Sequence, residues 1–496
     1  MRGARGPRGR CRRGAPHLHL PGRGHRDGTD GRRRRPARRN VLHGRPGLPA
    51  RHAARRAVPR RPAERRDPRR RQPVLEQRRE RRRPRGGDRH RPPAQRKGDA
   101  VTRLAPERQA LRDAVAAFAR DRLAPALPPD DGELSAEANR DLLKGAVELG
   151  LPGLLIPEEH GGGGGTQLDN AIAAEELGAV DAGFAAGLNL TMTVPGLILA
   201  AGTPEQKERW LPCIVAGETV LAGAMNEPSV AGSELFDPRP GPESGYRTRA
   251  VRDGDDYVIS GAKAQWVTNA GIADAYIVFA RTATDRPGVE STSAFWIPAG
   301  TAGLSCGPRS RLLGLRTGFH AEVFLDEVRV PASFRIGPEG EALRLLMSAT
   351  PGMAVGLAAT FVGVARAAEK LARAHTAARH SWGRPLREHQ AVALDLAEMV
   401  VTVRTARLLV HEAATALDQK ADPSELAVLV PAAKTRAVDA AIQCAQAAVR
   451  LHGATGVTTG AGPERLLRDA WTGYSCDFTR EMLHLGIAVA LPALDR

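Results

Sequence analysis

The sequence predicts an α+β fold that is mostly α: an N-terminal helical domain, a small central β domain and a C-terminal four-helix bundle. Three observations predict it. Apolar residues recur at helical spacing from Val101 to about Val220. Short β-rich runs replace them between about Leu221 and Pro331. Ala-rich stretches at 354–378, 389–418 and 424–451 then restore a helical pattern. The expected domains are 101–220, 221–332 and 333–496, behind a leader over 1–100.

In the first domain, Leu111, Val115 and Phe118 share one helical face, and Leu142, Leu143, Ala146, Val147 and Leu149 repeat the pattern. Five glycines, Gly161 to Gly165, precede a third helix at Leu168 to Leu177. Glycines ahead of a helix can cradle a phosphate. No Gly-Lys-Ser/Thr follows, so a flexible loop is expected instead. In the second domain, the strands are Tyr257-Val258-Ile259, Tyr276-Ile277-Val278-Phe279, Ala294-Phe295-Trp296-Ile297 and Val323-Phe324-Leu325. Asp253-Gly254-Asp255-Asp256 marks a turn. The Ala-rich stretches of the third domain are long enough for the bundle. Helices, then strands, then helices is not a Rossmann order.

The net charge of +18 on 496 residues points at first to nucleic acid or an anionic membrane. The charge is unevenly placed. Residues 1–100 hold 35 of the 73 Lys+Arg and 8 of the 55 Asp+Glu, a balance of +27, which leaves −9 for the remainder. The leader has no Ser, Ile, Phe, Tyr or Trp, and Lys97 is its one lysine. Such a segment buries too little apolar surface to offset its ordering entropy, so disorder is expected. It has neither the apolar core of a signal peptide nor the serines of a transit peptide. GC-rich DNA read upstream of a start gives such text, and GTG, read elsewhere as Val, is a bacterial start codon. Translation from Val101 is therefore the expectation. A nucleic-acid-binding arm is the remote alternative, and it predicts salt-dependent binding that vanishes on starting at Val101.

Cys11, Cys213, Cys306, Cys444 and Cys476 lie far apart, with no CxxC pair. The pattern argues against a zinc site or a disulfide framework and fits a reducing cytoplasm. No run of about 20 apolar residues stands out. The longest candidate, Pro351 to Ala365, is rich in Gly and Ala and reads as a buried helix. The expectation is a cytoplasmic protein without metal or membrane.

Six motifs then occur in order. The first is Gly202-Thr203-Pro204-Glu205-Gln206-Lys207 with Trp210-Leu211-Pro212, and the second is Met225-Asn226-Glu227-Pro228-Ser229-Val230-Ala231-Gly232-Ser233-Glu234. The third is Lys263-Ala264-Gln265-Trp266-Val267-Thr268-Asn269, and the fourth joins Gly314-Leu315-Arg316-Thr317 to Val328-Arg329-Val330-Pro331. The fifth is Ala378-Arg379-His380-Ser381-Trp382-Gly383 with Gln390. The sixth combines Arg450-Leu451-His452-Gly453-Ala454-Thr455-Gly456 with Pro463-Glu464-Arg465-Leu466-Leu467-Arg468-Asp469-Ala470. Together they resemble the FAD-dependent acyl-CoA dehydrogenases over nearly 400 residues.

The resemblance implies roles. Asn226 and Ser233 would line the flavin, and Ser233 would also touch the substrate's pantetheine or phosphate arm. Trp266 would pack on the isoalloxazine and Thr268 would meet flavin N5, since a flat apolar ring needs an aromatic wall and the reduced nitrogen a hydrogen-bond partner. Arg379 and Trp382 would help hold the FAD of a neighbouring subunit, and Gln390, Arg450, Gly453 and Gly456 would also bind the cofactor. A guanidinium forks onto a pyrophosphate, and glycines let the backbone approach. Thr479 and Glu481 keep the family's register beyond the base.

Three positions depart from the family: Asn226 stands where Thr is usual, Arg450 where Gln is usual, and the third is the base. Where the usual catalytic glutamate stands, Cys476-Asp477-Phe478-Thr479-Arg480-Glu481 gives Asp477. The alternative base position, at the start of a bundle helix, holds Met353 and Ala354. The family's base removes the α-proton of an acyl thioester while the β-hydrogen leaves as hydride to N5. Asp is one methylene shorter, so its oxygens fall about 1 Å short, a displacement that costs on the order of 10²-fold. Three readings follow: a dehydrogenase whose backbone brings Asp477 forward, a related oxidase or monooxygenase resembling nitroalkane oxidase, and an inactive site. The resemblance further implies acyl-CoA or acyl-carrier-protein as substrate, electron-transfer flavoprotein or oxygen as acceptor, and a homotetramer or dimer.

Overall fold

The structure is a computed structural model that describes residues 104–129, 132–230, 240–349 and 351–494. The leader 1–100 lies outside the described residues, as does Ser233.

Seven helices come first: α1 (Pro106–Phe118), α2 (Ala124–Ala126), α3 (Ala136–Glu148), α4 (Gln167–Gly178), α5 (Ala182–Thr193), α6 (Pro195–Ala201) and α7 (Pro204–Val215). Their starts are chemically marked. Ser135 caps α3 by accepting the N–H of Ala138, and Thr166 with Asp169 closes a reciprocal capping box on α4. Thr203 and Gln206 form a second box on α7, so the first motif is a helix start. The glycine run is not a loose loop. Gly162, Gly163, Gly164 and Gly165 donate to Pro157, Gly153, Ile156 and Leu154 at 2.8 to 3.1 Å, and a Cβ on Gly162 would lie 2.0 Å from the Ile156 carbonyl. Gly162 and Gly165 are required by close contact and Gly161 and Gly164 by positive φ, which composition alone misreads as flexibility.

The β domain holds β1 (Leu221–Ala224), β2 (Arg249–Asp253), β3 (Asp256–Thr268), β4 (Ala275–Arg281), β5 (Thr292–Pro298), β6 (Leu304–Cys306), β7 (His320–Pro331) and β8 (Arg335–Ile336). They form one sheet in the order β6-β7-β3-β2-β4-β5-β8, with β1 parallel to β4. β4 is buried along its whole length, which accounts for its unbroken apolar text. β3 and β7 pair antiparallel, and their register shifts between Lys263 and Val267. That irregularity carries Gln265 and Trp266 out of the ladder.

The helices after the sheet are α8 (Ala342–Ala349), α9 (Pro351–Ala378), α10 (Gln390–Asp418), α11 (Pro423–His452), α12 (Pro463–Gly473) and α13 (Arg480–Leu494). Between α9 and α10 a hairpin pairs β9 (His380–Ser381) with β10 (Arg384–Pro385). The bundle core is mostly alanine, including Ala358, Ala365, Ala372, Ala406, Ala437 and Ala441. Small side chains let α4 and α9 nearly touch. A Cβ on Gly178 would lie 2.4 Å from the Thr360 carbonyl, and one on Gly363 2.4 Å from that of Glu175. Glu175 is buried at this crossing, held by Arg407 at 2.8 Å and Arg366 at 3.1 Å. Two stretches, Ala182–Ala201 and Pro351–Ala378, are long and apolar enough to cross a membrane. Both are mostly buried against protein, as core helices are.

Candidate active site

The second and third motifs meet through a buried ion pair. The Lys263 ammonium, fully buried on β3, donates to Glu227 Oε1 at 2.7 Å, to the Phe279 carbonyl at 2.6 Å and to the Met225 carbonyl at 3.2 Å. The other Glu227 oxygen accepts the N–H of Arg247 at 2.5 Å, and Oε1 also accepts that of Thr248 at 3.0 Å. Burial pulls the Lys263 amine down to about 8, against the opposing pull of Glu227. This pair stops the loop that begins at Asn226 from swinging away from β3. The N–H of Ala264 donates to the Asn226 carbonyl at 2.8 Å, and Asn226 Oδ1 is buried with no partner among the described residues.

Trp266 sits where the β3–β7 register breaks and is 42% exposed, unusual for so large an apolar ring on a strand. Thr268, half-buried, ends the same strand. Asn269 follows at φ 65°, its amide donating to the carbonyls of Leu221 at 2.8 Å and Gly187 at 2.9 Å. Asn226, Trp266 and Thr268 are thus on neighbouring backbone, braced from below by Lys263 and Asn269.

A second group gathers at one end of the bundle. Trp382 and Gly383 form the tip of the β9–β10 hairpin, both with positive φ, as a two-residue hairpin of type I′ requires. Trp382 is 93% exposed, its ring edge-on to His389 at 5.9 Å. The His375 and His452 rings stack at 4.0 Å, which joins the end of α9 near Arg379 to the end of α11 near Gly453. Arg379 and Gln390 are exposed, and Arg450 pairs with Asp395 at 3.0 Å. Gly453 ends α11 at φ 59° and ψ −137°, and a Cβ there would meet nothing within 4 Å. Gly456 differs: a Cβ would lie 2.2 Å from the Val449 carbonyl, so its glycine serves the turn itself. Among the described residues, no hydrogen bond or ion pair joins this group to Trp266.

The third element is the turn between α12 and α13. Asp477 and Phe478 have φ of 44° and 74°, two successive left-handed residues without a glycine. Each costs roughly 1–2 kcal/mol, so something must hold them. Lys434 on α11 does so. Its ammonium is buried and donates to the carbonyls of Cys476, Asp477 and Phe478, the last two at 2.7 and 2.8 Å. Asp477 is exposed in the single chain, with nearby protein displacing part of the water around its carboxyl. That desolvation raises its pKa above the ordinary Asp value, with Lys434 pulling the other way. Thr479 accepts the N–H of Met482 at 3.4 Å as the cap of α13, and Glu481 accepts the Tyr474 hydroxyl at 2.5 Å. The segment 310–315 connects this region to Trp266. Ser310 donates to the Gln265 carbonyl at 2.7 Å, while Gly314 and Leu315 donate to Thr472 and Asp469 of α12, both at 2.7 Å.

The acyl-CoA dehydrogenase N-terminal, middle and C-terminal domain models match residues 105–218, 222–328 and 341–491. The chain belongs to the acyl-CoA dehydrogenase family. It is 36% identical over 371 residues to the cyclohex-1-ene-1-carbonyl-CoA dehydrogenase of Geobacter metallireducens, covering 74% of this chain and 93% of that protein. Among solved structures, butyryl-CoA dehydrogenase from Megasphaera elsdenii superposes with a TM-score of 0.72 at 30% identity, covering 79% of this chain and 99% of that one. The prolyl acyl carrier protein oxidase AnaB superposes with a TM-score of 0.71 at 27% identity, covering 78% and 100%.

As a family member the protein is an FAD-dependent oxidoreductase acting on CH–CH groups. The residues present fit the cofactor. An exposed indole, an orphaned buried Asn226 oxygen and open space in front of Gly453 are features that a bound flavin dinucleotide accounts for. Among the described residues no cluster of metal-ligating side chains occurs. The motifs single out Trp266, Thr268, Arg379, Gly453 and Asp477, which the structure places on β3, at one end of the bundle and in the α12–α13 turn. Lys434 was missed, although a lysine among Val430, Ala433, Ala437, Val438 and Ala441 on one apolar face of α11 was a visible signal.

Proposed function

We propose that this enzyme desaturates an acyl thioester at its α,β-carbons with Asp477 as the base. The observation that carries the reading is the α12–α13 turn, where a carboxyl of raised basicity is held by a buried clamp. A carboxylate of raised pKa is a better acceptor for the α-proton at neutral pH. The bound flavin supplies the hydride acceptor. Trp266 and Thr268 shape the pocket wall against it, and Asn226 offers it an acceptor oxygen.

A cleft of about 100 Å³ lined by Leu155, Ile156, Met192, Leu199 and Met353 suits a short acyl chain. Along α9, Met353 is eight residues from Phe361, which packs on Gly473 at the end of α12. That is about 12 Å of helix. The cleft takes the acyl tail and the turn takes its α-carbon.

Arg379, Trp382, Gln390, Arg450, Gly453 and Gly456 hold a neighbour's FAD in a cytoplasmic homotetramer. Support comes from Trp382, an almost bare indole at a hairpin tip, and from the absence, among the described residues, of a hydrogen bond or ion pair between this group and Trp266. Electrons pass to an electron-transfer flavoprotein. A second reading, a carrier-protein thioester with oxygen as acceptor, draws on the likeness to the prolyl acyl carrier protein oxidase.

The test is the visible spectrum of protein expressed from Val101, followed by anaerobic addition of a panel of acyl-CoAs that includes butyryl-CoA. A yellow protein bleached by an acyl-CoA, and not bleached as Asp477→Asn, supports the reading. Bleaching by carrier-protein thioesters alone moves it to the second reading. A colourless protein that takes up no FAD overturns both.

A further inference from the structure

We infer that Lys434 is a positioning residue that fixes the place and the basicity of Asp477, an inference that rests on Asp477 being the base. An ammonium has three N–H donors, and all three are spent on successive carbonyls of one turn, Cys476, Asp477 and Phe478. Here the backbone between these carbonyls curls through left-handed geometry, with Asp477 and Phe478 at φ 44° and 74°. Neither is glycine, so the turn is costly without its cation. Among the described residues Lys434 makes no ion pair with a carboxylate side chain, although it is buried on an otherwise apolar helix face. Burying an ammonium costs several kcal/mol unless its hydrogen bonds are made. The turn and the lysine are therefore mutually dependent: each satisfies what the other leaves open.

The consequence for Asp477 is geometric and electrostatic. An Asp side chain has two torsions, so its carboxyl goes where its Cα is aimed, and Lys434 sets that aim through the carbonyls on either side. Its charge also favours the carboxylate, against the desolvation that opposes it. Other charges nearby are engaged elsewhere. Arg480 pairs with Asp439 at 2.9 Å, and Glu481 accepts from Tyr474. Lys434 itself has no N–H left for the shallow recess that it lines with Val438, Tyr474, Phe478 and Leu483, which argues against a role as ligand there.

The experiment compares Lys434→Met and Lys434→Gln with wild type as FAD-loaded proteins, using butyryl-CoA as the probe. Met removes charge and donors, whereas Gln keeps two N–H donors without charge. Lys434→Met is expected to slow anaerobic flavin reduction by about 10²-fold, the effect of roughly 1 Å of misplacement. Its affinity for butyryl-CoA and its oxidised flavin spectrum stay as in wild type. Lys434→Gln is expected to lose less rate. In both variants the acid limb of the rate–pH profile, set by ionisation of Asp477, moves to higher pH. Backbone amides of 476–482 exchange faster in Lys434→Met, a readout independent of turnover.

Wild-type reduction rate with an unmoved limb in Lys434→Met overturns the inference. If that variant takes up no FAD, Lys434→Gln decides, and an unmoved limb there overturns it equally. Asp477→Asn separates the two layers. Reduction at the wild-type rate in that variant removes the base reading and this inference together. An inactive Asp477→Asn beside an unaffected Lys434→Met removes only the clamp.

Discussion

Lys263 and Glu227 form an ion pair at 2.7 Å in which both side chains are buried. It ties β3, which carries Trp266 and Thr268, to the loop that begins at Asn226. Lys263→Met leaves the Glu227 carboxylate buried without its cation. Breaking one side of such a pair costs about 3–5 kcal/mol. Calorimetry should show a large drop in melting temperature, and FAD should dissociate more readily. Lys263 is also pulled down to about 8 in the folded state, from an ordinary 10.5. Between those values the unfolded chain binds the extra proton, so the Lys263 contribution to stability rises with pH from about 8 towards 10.5. That pH-dependent increment should vanish in Lys263→Met.

Gly178 and Gly363 set the distance between α4 and α9. Gly178→Ala places a methyl 2.4 Å from the Thr360 carbonyl, backbone that has no side-chain freedom to yield. Overpacking of this kind costs about 1–3 kcal/mol. Chemical denaturation should show lower stability for either alanine variant and a greater loss than for alanine at the unencumbered Gly300.

Leu394, Val401 and Leu408 lie seven residues apart on α10 and are 64%, 54% and 57% exposed. Seven-residue spacing puts them on one helix face. In the proposed homotetramer that face is covered by another copy. Val401→Glu should then lower the mass measured by light scattering, whereas Val251→Glu, exposed on β2 away from this face, should not.

Asp477 has its pKa raised by desolvation. A carboxyl with a raised folded pKa binds a proton more tightly in the native state, so its ionisation at neutral pH works against folding. Asp477→Asn should therefore abolish flavin reduction while its melting temperature at pH 7 stays level or rises. Flavin reduction in wild type should fall with acid through a midpoint above the ordinary Asp range. A midpoint at or below that range would show that Asp477 is not the titrating base.

Much of the fold was legible because its signals are local. Leu111, Val115 and Phe118 announce α1 by their helical spacing, and the apolar run Tyr276 to Phe279 announces β4. Trp266, Arg379 and Gly453 were legible as motifs, since each keeps fixed neighbours along the chain. Lys434 was not. It is 43 residues from Asp477, and one lysine on an apolar helix face does not say which carbonyls it will meet. The glycine run misled for the same reason: Gly162 is required by the Ile156 carbonyl beside it, and that contact is invisible until the turn is built.

The sequence by itself determined the order of helices, strands and bundle, the family, and the cofactor, because periodicity and short motifs are written within a few residues. The tertiary structure alone decided that Glu227 is buried on Lys263, that Gly178 meets Thr360, and that Lys434 closes on the carbonyls around Asp477. Those are contacts between residues 36 to 182 positions apart, and only the packed chain brings their atoms within hydrogen-bonding or van der Waals range.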